Sequence, residues 1–278
     1  MPVKTISLAI IFVSLSITSS WSFDISKGVI GDDDRVITHD AKIGRLHFKS
    51  GQAGCTGTLI SKSCGITAGH CKDSMFSIEF NVPSNSSSGP VHSKSRDKYK
   101  IDRNSIVLQY NALDDEDWAV FRIIEHKPIS KISRWFSKHF EKNSKIENYP
   151  KQEGYFPGEI QKYYDFTTTK NFPGDGISIT GYGFDKNKYL DRVQRSADGQ
   201  LIDKHSVFSP FAIFHNVDTT PGQSGAAIID TTSGKIIGVH NAFVCNSKTK
   251  TNCYNMGTSI HLAKRFQDAI NDCLKQDR

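Results

Sequence analysis

Short apolar runs, cut apart by turn formers, restrict the folds open to this chain. In the first half they read IGRLHF, GCTGTLI, CGITAGH, FSIEF, SIVLQY and WAVFRI; in the second, ISITGYG, FAIFHNV, AAIID, KIIGVHNAF and NMGTSI. Glycine, asparagine and aspartate punctuate them. Runs so short and so separated predict many brief strands, and with them an all-β barrel or sandwich. A polar stretch near residues 127–155 divides the runs into two sets, which predicts two barrels of similar size, at about 35–130 and about 150–260. The last segment changes period. Leu262, Phe266, Ala269, Ile270 and Cys273 recur at helical spacing, so a C-terminal amphipathic helix is expected over about 259–274.

The ends of the chain bear on its compartment. Residues 1–22 read as a secretory signal peptide: Lys4 supplies the positive start, residues 6–17 the apolar core, and Ser20 and Ser22 the small residues before a cut after Ser22. The apolar core falls short of the ~20 residues a spanning helix needs. An exported protein is therefore expected, with no membrane association once the signal is removed. Export changes the reading of Cys55, Cys64, Cys71, Cys245, Cys253 and Cys273: an even set in an oxidising compartment predicts disulfides. Their spacing lacks the paired pattern of a zinc site, and no other metal or cofactor motif is present. The formal charge of +6 is spread out. Its densest basic region, residues 127–151, also carries Glu141 and Glu147 and reads as a solvated connector, so nucleic acid is not an expected partner. Asn85-Ser86-Ser87 is a glycosylation sequon, relevant in a eukaryotic source.

Three fragments collect chemistry in a fixed order. TAGHC places His70 at the end of an apolar strand, DDEDWAV places Asp117 before an apolar triplet with Asp114 and Asp115 nearby, and PGQSG carries Ser224 on a tight turn before AAII. Taken singly, each has a plain reading as a structural histidine, a solvated acidic loop or a surface turn. Together they are the parts that nucleophilic catalysis needs. A serine hydroxyl is a weak nucleophile until an imidazole accepts its proton, and a buried carboxylate orients that imidazole and stabilises its cation. The N–H groups of Gly222 and Ser224 can converge on a developing oxyanion, where losing one donor costs about 3 kcal/mol. Glycine at 222 lets that amide turn inward.

CTGTLI, TAGHC, DWAV, GYG and GQSG together resemble the trypsin/chymotrypsin superfamily of serine peptidases over roughly residues 29–274. The resemblance implies two packed six-stranded antiparallel β-barrels with a C-terminal α-helix. It further implies His70 as general base, Asp117 as its partner and Ser224 as nucleophile. Asp117 is preferred to Asp114 and Asp115 because the apolar triplet after it matches the family pattern and would bury it. The family's histidine-loop disulfide would be Cys55–Cys71. Cys245–Cys253 would then close a short loop after the pocket strand, and Cys64–Cys273 would staple the C-terminal helix to the first barrel.

Departures from the family pattern narrow the branch. Digestive trypsins carry Asp where this chain has Gln223, so their ion pair with a new N-terminal amine cannot form. GVIGDDDR and IIGVHNAF resemble the glutamyl endopeptidases instead, which cut after Glu and more weakly after Asp. By that resemblance His240 and Thr219 would read the substrate carboxylate, which needs donors where it is buried. Residues 23–27 would be a short propeptide, cut at Lys27–Gly28 to leave a peptidase domain over 28–278 whose new amine also faces the pocket. The expected protein is a secreted monomeric endopeptidase acting on protein or peptide substrates, without cofactor. The competing readings are a serine peptidase preferring small or apolar residues and a non-catalytic binding protein on the same fold.

Overall fold

The computed structural model describes residues 28–111, 116–125, 155–204, 209–245 and 252–277. The expected signal peptide, the residue 23–27 extension, Asp114, Asp115 and the whole basic connector, 127–151, lie outside the described residues. The first set of apolar runs pairs antiparallel into a closed six-stranded barrel. Its strands β2 (Ile43–His47), β3 (Ala53–Leu59), β4 (Cys64–Thr67), β5 (Ser77–Glu79), β6 (Lys98–Asn111) and β7 (Glu116–Ile123) follow one another around it in the order β2-β3-β4-β7-β6-β5. β4 is buried at every residue and β7 at all but Arg122, which explains why both read as nearly continuous apolar runs. Leu46, Leu59, Met75, Ile78, Phe80 and Phe121 fill the interior.

The second set forms an antiparallel sheet from β8 (Gly176–Gly181), β9 (Arg195–Gln200), β10 (Ala212–His215), β11 (Ala227–Asp230), β12 (Ile236–Val244) and β13 (Tyr254–Ser259). A short β1 (Val36–Ile37) joins the edge of β9, giving the order β1-β9-β8-β11-β12-β13-β10. The sheet curls back on itself, because the bridge Leu201–His215 links the end of β9 to β10. Ile177, Ile179, Val217, Ala226, Ile228 and Ile237 pack inside.

A third cluster seals the two halves and the helix together. It takes Ile66, Trp118 and Val120 from the barrel, Ala227, Ile229 and Val239 from the sheet, and Phe266 and Ile270 from the helix. α1 (Pro157–Gln161) is a single turn, and α2 (Lys264–Lys275) is the C-terminal helix. Leu262 precedes α2 and stays 43% exposed, so the helix begins later than its spacing predicts. Phe266 stacks on Trp118 with centroids 5.0 Å apart. The Cys64–Cys273 disulfide joins α2 to β4 across a separation of 209 residues. Constraining so long a loop in the unfolded chain stabilises by about 5 kcal/mol in the chain-entropy model. Cys55–Cys71 and Cys245–Cys253 are also bonded, so all three expected pairs form. Asn85 turns its side-chain nitrogen inward to the carbonyls of Lys188 and Asp191, 2.7 Å from each, which leaves the sequon amide engaged by the fold.

The first barrel also buries a charged cluster. Glu79 accepts from Arg45 Nε and Nη2 at 2.8 and 2.6 Å, lies 2.6 Å from His47 Nε2, and accepts the Ser93 amide at 3.1 Å. Burial works to raise the Glu79 carboxyl. The His47 hydrogen bond and the Arg45 charge outweigh it and hold the group well below the usual carboxylate range.

Candidate active site

His70 sits in a 3₁₀ turn, Gly69–Ser74, directly after β4. The turn passes so close to β6 that a Cβ at Gly69 would lie 2.0 Å from the Gln109 carbonyl oxygen, and Cys55–Cys71 ties its next residue to β3. Asp117 lies near the start of β7 with its side chain 10% exposed. Its carboxylate accepts twice from His70, through the backbone N–H at 2.9 Å and the ring Nδ1 at 2.6 Å. A carboxylate only accepts, so Nδ1 carries a proton, which makes Nε2 the nitrogen with the lone pair in the neutral ring. Thr258 Oγ1 fixes the Asp117 backbone from the second sheet, accepting from its N–H at 3.0 Å and donating to its carbonyl at 3.1 Å. Asn241 Nδ2 donates to the same hydroxyl at 3.0 Å.

Ser224 is half-buried on a turn whose shape depends on two glycines at positive φ, Gly222 at 100° and Gly225 at 86°. The turn abuts the first barrel beside His70. Thr56 N–H donates to the Ser224 carbonyl at 2.9 Å, Cys71 Sγ lies 3.7 Å from that oxygen, and a Cβ at Gly225 would fall 2.9 Å from Ala68 N. Thr56 Oγ1 also donates to the Gly222 carbonyl at 2.9 Å. Among the described residues, the amides of Gly222 and Ser224 meet no protein acceptor.

Behind this turn lies His240 on β12. Its carbonyl accepts from Gly225 N–H at 2.7 Å, and its own N–H donates to Ala226 at 2.9 Å. Its Nδ1 is 3.3 Å from Nε2 of His215, a wholly buried residue of β10. Burial pushes His240 down to about 4, with the neighbouring His70 adding to the shift. Burial, with His240 nearby, holds His215 well below its ordinary value too. Both rings are therefore neutral at pH 7.

Thr219 occupies the same wall, but its hydroxyl donates to Asn255 Oδ1 at 3.0 Å. The Asn255 orientation is unambiguous, since Nδ2 donates to the carbonyls of Gly28 at 2.7 Å and Val217 at 2.8 Å. Thr219 N–H holds the Gly28 carbonyl at 3.0 Å, so residue 28 is docked into this wall.

Two donor groups have the elements of a metal site. Cys55, His70 and Cys71 lie together, but the two sulfurs are bonded to each other and offer no thiolate. His47, Glu79 and His92 converge within 4.8 Å, but Arg45 already occupies the Glu79 carboxylate. Neither set fits a cation well.

Across residues 29–270 the sequence matches the family model described as Trypsin. The chain belongs to the trypsin family. The fold of this trypsin-like serine protease is similar to that of a Glu endopeptidase solved in complex with MPD, at 20% identity, covering 88% of this chain and 98% of that one with a TM-score of 0.60. It is also similar to neuropsin, a serine protease expressed in mouse brain, at 14% identity, 84% and 95% coverage and a TM-score of 0.55. A mutant of human heparin binding protein matches at 12% identity, 87% and 97% coverage and a TM-score of 0.58. No curated protein matches the chain in sequence.

Within this trypsin-family fold, the residues that the sequence marks as candidates are His70, Asp117, Ser224, Gly222, Thr219 and His240. Thr258, Asn241, Asn255 and His215, which contact these candidates, are not among the residues so marked. FAIFHNV carried a signal for the last, a histidine inside a short apolar run, but such a residue looks the same whether it closes a core or backs a pocket.

Proposed function

We propose that the chain is a secreted serine endopeptidase that prefers Glu or Asp before the scissile bond. The observation that carries the catalytic part is the double hydrogen bond from His70 to the Asp117 carboxylate beside the Ser224 turn. His70 Nε2 takes the Ser224 proton as its oxygen attacks the carbonyl. Asp117 holds the ring and stabilises the imidazolium, and the Gly222 and Ser224 amides receive the oxyanion. His70 then protonates the leaving amine, and water hydrolyses the acyl-enzyme by the same steps. The same fold is shared with a protein described as heparin binding, but the engaged His70–Asp117 pair favours catalysis over a purely binding role.

Acidic preference rests on His240. The ring lies next to the nucleophile turn, neutral and backed by a second histidine, so an entering carboxylate would find a ring donor in a buried setting. Thr219 has its proton on Asn255, so we assign the direct contact to His240 and give Thr219 the task of seating Asn255 and Gly28. The docked Gly28 supports a cut at Lys27–Gly28, which would leave a cationic amine at that wall (unperturbed pKa about 7.7–8). Export agrees with the three disulfides and with the absence, among the described residues, of a helix long and apolar enough to cross a membrane.

A tagged fluorophosphonate tests the catalytic reading. The wild type should be labelled at Ser224, and Ser224→Ala should lose both labelling and turnover while staying folded. Turnover that persists in Ser224→Ala overturns the assignment. Cleavage-site profiling then tests specificity, and cleavage chiefly after Lys or Arg rejects the acidic pocket.

A further inference from the structure

Gln223, the residue ahead of the serine, is wholly buried. Its Oε1 accepts from Thr220 N–H at 2.9 Å and from Arg35 Nη1 at 3.0 Å. Arg35 is itself buried, and the same Nη1 donates to Thr220 Oγ1 at 2.5 Å. Its other edge is fixed by Asp33, to which Nε and Nη2 donate at 2.8 and 2.7 Å. Thr220 Oγ1 donates onward to the Phe184 carbonyl at 3.0 Å. Gly183 covers the cluster so closely that a Cβ there would lie 2.1 Å from Thr220 Oγ1, 2.8 Å from Arg35 Nη1 and 2.9 Å from Gln223 Oε1.

The guanidinium thus grips both ends of a short loop. Thr220 and Gln223 bracket Pro221 and Gly222, and the Gly222 and Ser224 amides are the proposed oxyanion donors. Neighbouring residues of the same N-terminal segment hold the chain just ahead of that loop, since Asp218 accepts from Ile30 N–H at 2.7 Å and Asp34 N–H at 3.1 Å. Gln223 keeps this orientation although its buried Nε2 has no partner among the described residues, so Oε1 toward Arg35 is the contact the fold protects.

We infer that Arg35 is a positioning residue for the oxyanion loop, holding Thr220 and Gln223 so that the Gly222 and Ser224 amides stay aimed at the reacting carbonyl. The inference rests on the serine-peptidase reading above. A planar guanidinium suits this role because it can engage a carboxylate along one edge and two loop acceptors with another nitrogen, which a lysine ammonium cannot reproduce. The loop is then ordered by a side chain seven residues into the domain, and needs no terminal amine beneath the nucleophile.

The experiment compares wild type, Arg35→Ala and Arg35→Lys on one peptide substrate, with rates expressed per serine labelled when fluorophosphonate reaction is complete. Arg35→Ala should lose about 100-fold in kcat with KM little changed, the signature of misplaced oxyanion donors. Arg35→Lys should fall between it and wild type, and added methylguanidinium should restore part of the Arg35→Ala rate. A role in stability alone would lower the fraction of labelled protein and leave kcat per labelled serine intact. If the wild type neither labels nor cleaves, the serine-peptidase reading fails. If the wild type labels and Arg35→Ala turns over at the wild-type rate per labelled serine, the role given to Arg35 is overturned. Arg35→Lys decides in the same way should the alanine variant not fold.

Discussion

Among the described residues the first half of the molecule buries one histidine and the second half two, and the two sites are built on opposite plans. In the first barrel His47 lies 2.6 Å from the Glu79 carboxylate, with Arg45 on the same oxygen. In the second, His240 meets another histidine, His215, at 3.3 Å, and among the described residues no carboxylate lies within hydrogen-bond reach of either ring. Desolvation acts on both sites. At Glu79 the surrounding donors overcome it and the carboxylate stays ionised, whereas at His215 and His240 it prevails and the rings stay neutral. The first site carries its own anion and serves stability. The second suits an anion brought by a substrate, the part given to it under the proposed function.

The largest expected effect comes from taking the anion out of the first site. Glu79→Gln strands Arg45 and His47 in the barrel interior, and removing one partner of a buried charged cluster typically costs about 3–5 kcal/mol. Urea denaturation should show that loss. A change below about 1 kcal/mol would make the cluster equivalent to a surface pair and remove the contrast. His240→Ala should do the reverse, with little loss of stability but about 2–4 kcal/mol of kcat/KM on Glu substrates and far less on apolar ones. Equal losses on both substrate types would make His240 a core histidine.

Acidification separates the sites further. The unfolded chain protonates His215 and His240 near pH 6.5, whereas burial delays this in the folded chain, to about pH 4 for His240. Between those values the unfolded state binds more protons, so stability should fall as pH drops through that window. Glu79 acts lower. Its folded pKa is depressed from 4.5, so its contribution is present above that value and is lost only as pH falls below it. Urea midpoints for the wild type and a His215→Gln, His240→Gln double variant should therefore diverge between pH 6.5 and 4, and parallel curves would contradict neutral rings. The smallest effect belongs to His215→Asn. If His215 only orients His240, kcat/KM on Glu substrates should drop by about 1 kcal/mol, well short of His240→Ala. An equal loss would place His215 itself on the substrate.

Much of this was legible in the chain. His70, Asp117 and Ser224 stand on strand ends marked by apolar runs and glycine turns, and those local patterns also marked the strands that carry them. The fragment RSADGQ was not legible. β9 is polar, with Asp198 and Gly199 in its centre, and it becomes a strand because β8 supplies a six-residue antiparallel partner. The proposed pocket was marked in the sequence only in part. His240 stood out through its motif, but the commitment of the Thr219 proton to Asn255 joins residues 36 positions apart.

The sequence by itself therefore determined what short-range chemistry can specify: the many brief strands, the amphipathic helix, the turn that needs glycine at 222 and 225, and the order of the three candidate catalytic residues. Tertiary structure alone decided which polar groups lose their water and what they then face. GVIGDDDR stands out in the sequence only as a family-like motif, yet Arg35 from it is buried against Gln223, 188 residues away. His215 reads as one more strand residue until β10 and β12 bring it to His240. The physical reason is that desolvation and partner geometry belong to pairs of distant segments, and neither is encoded in the local periodicity of one segment.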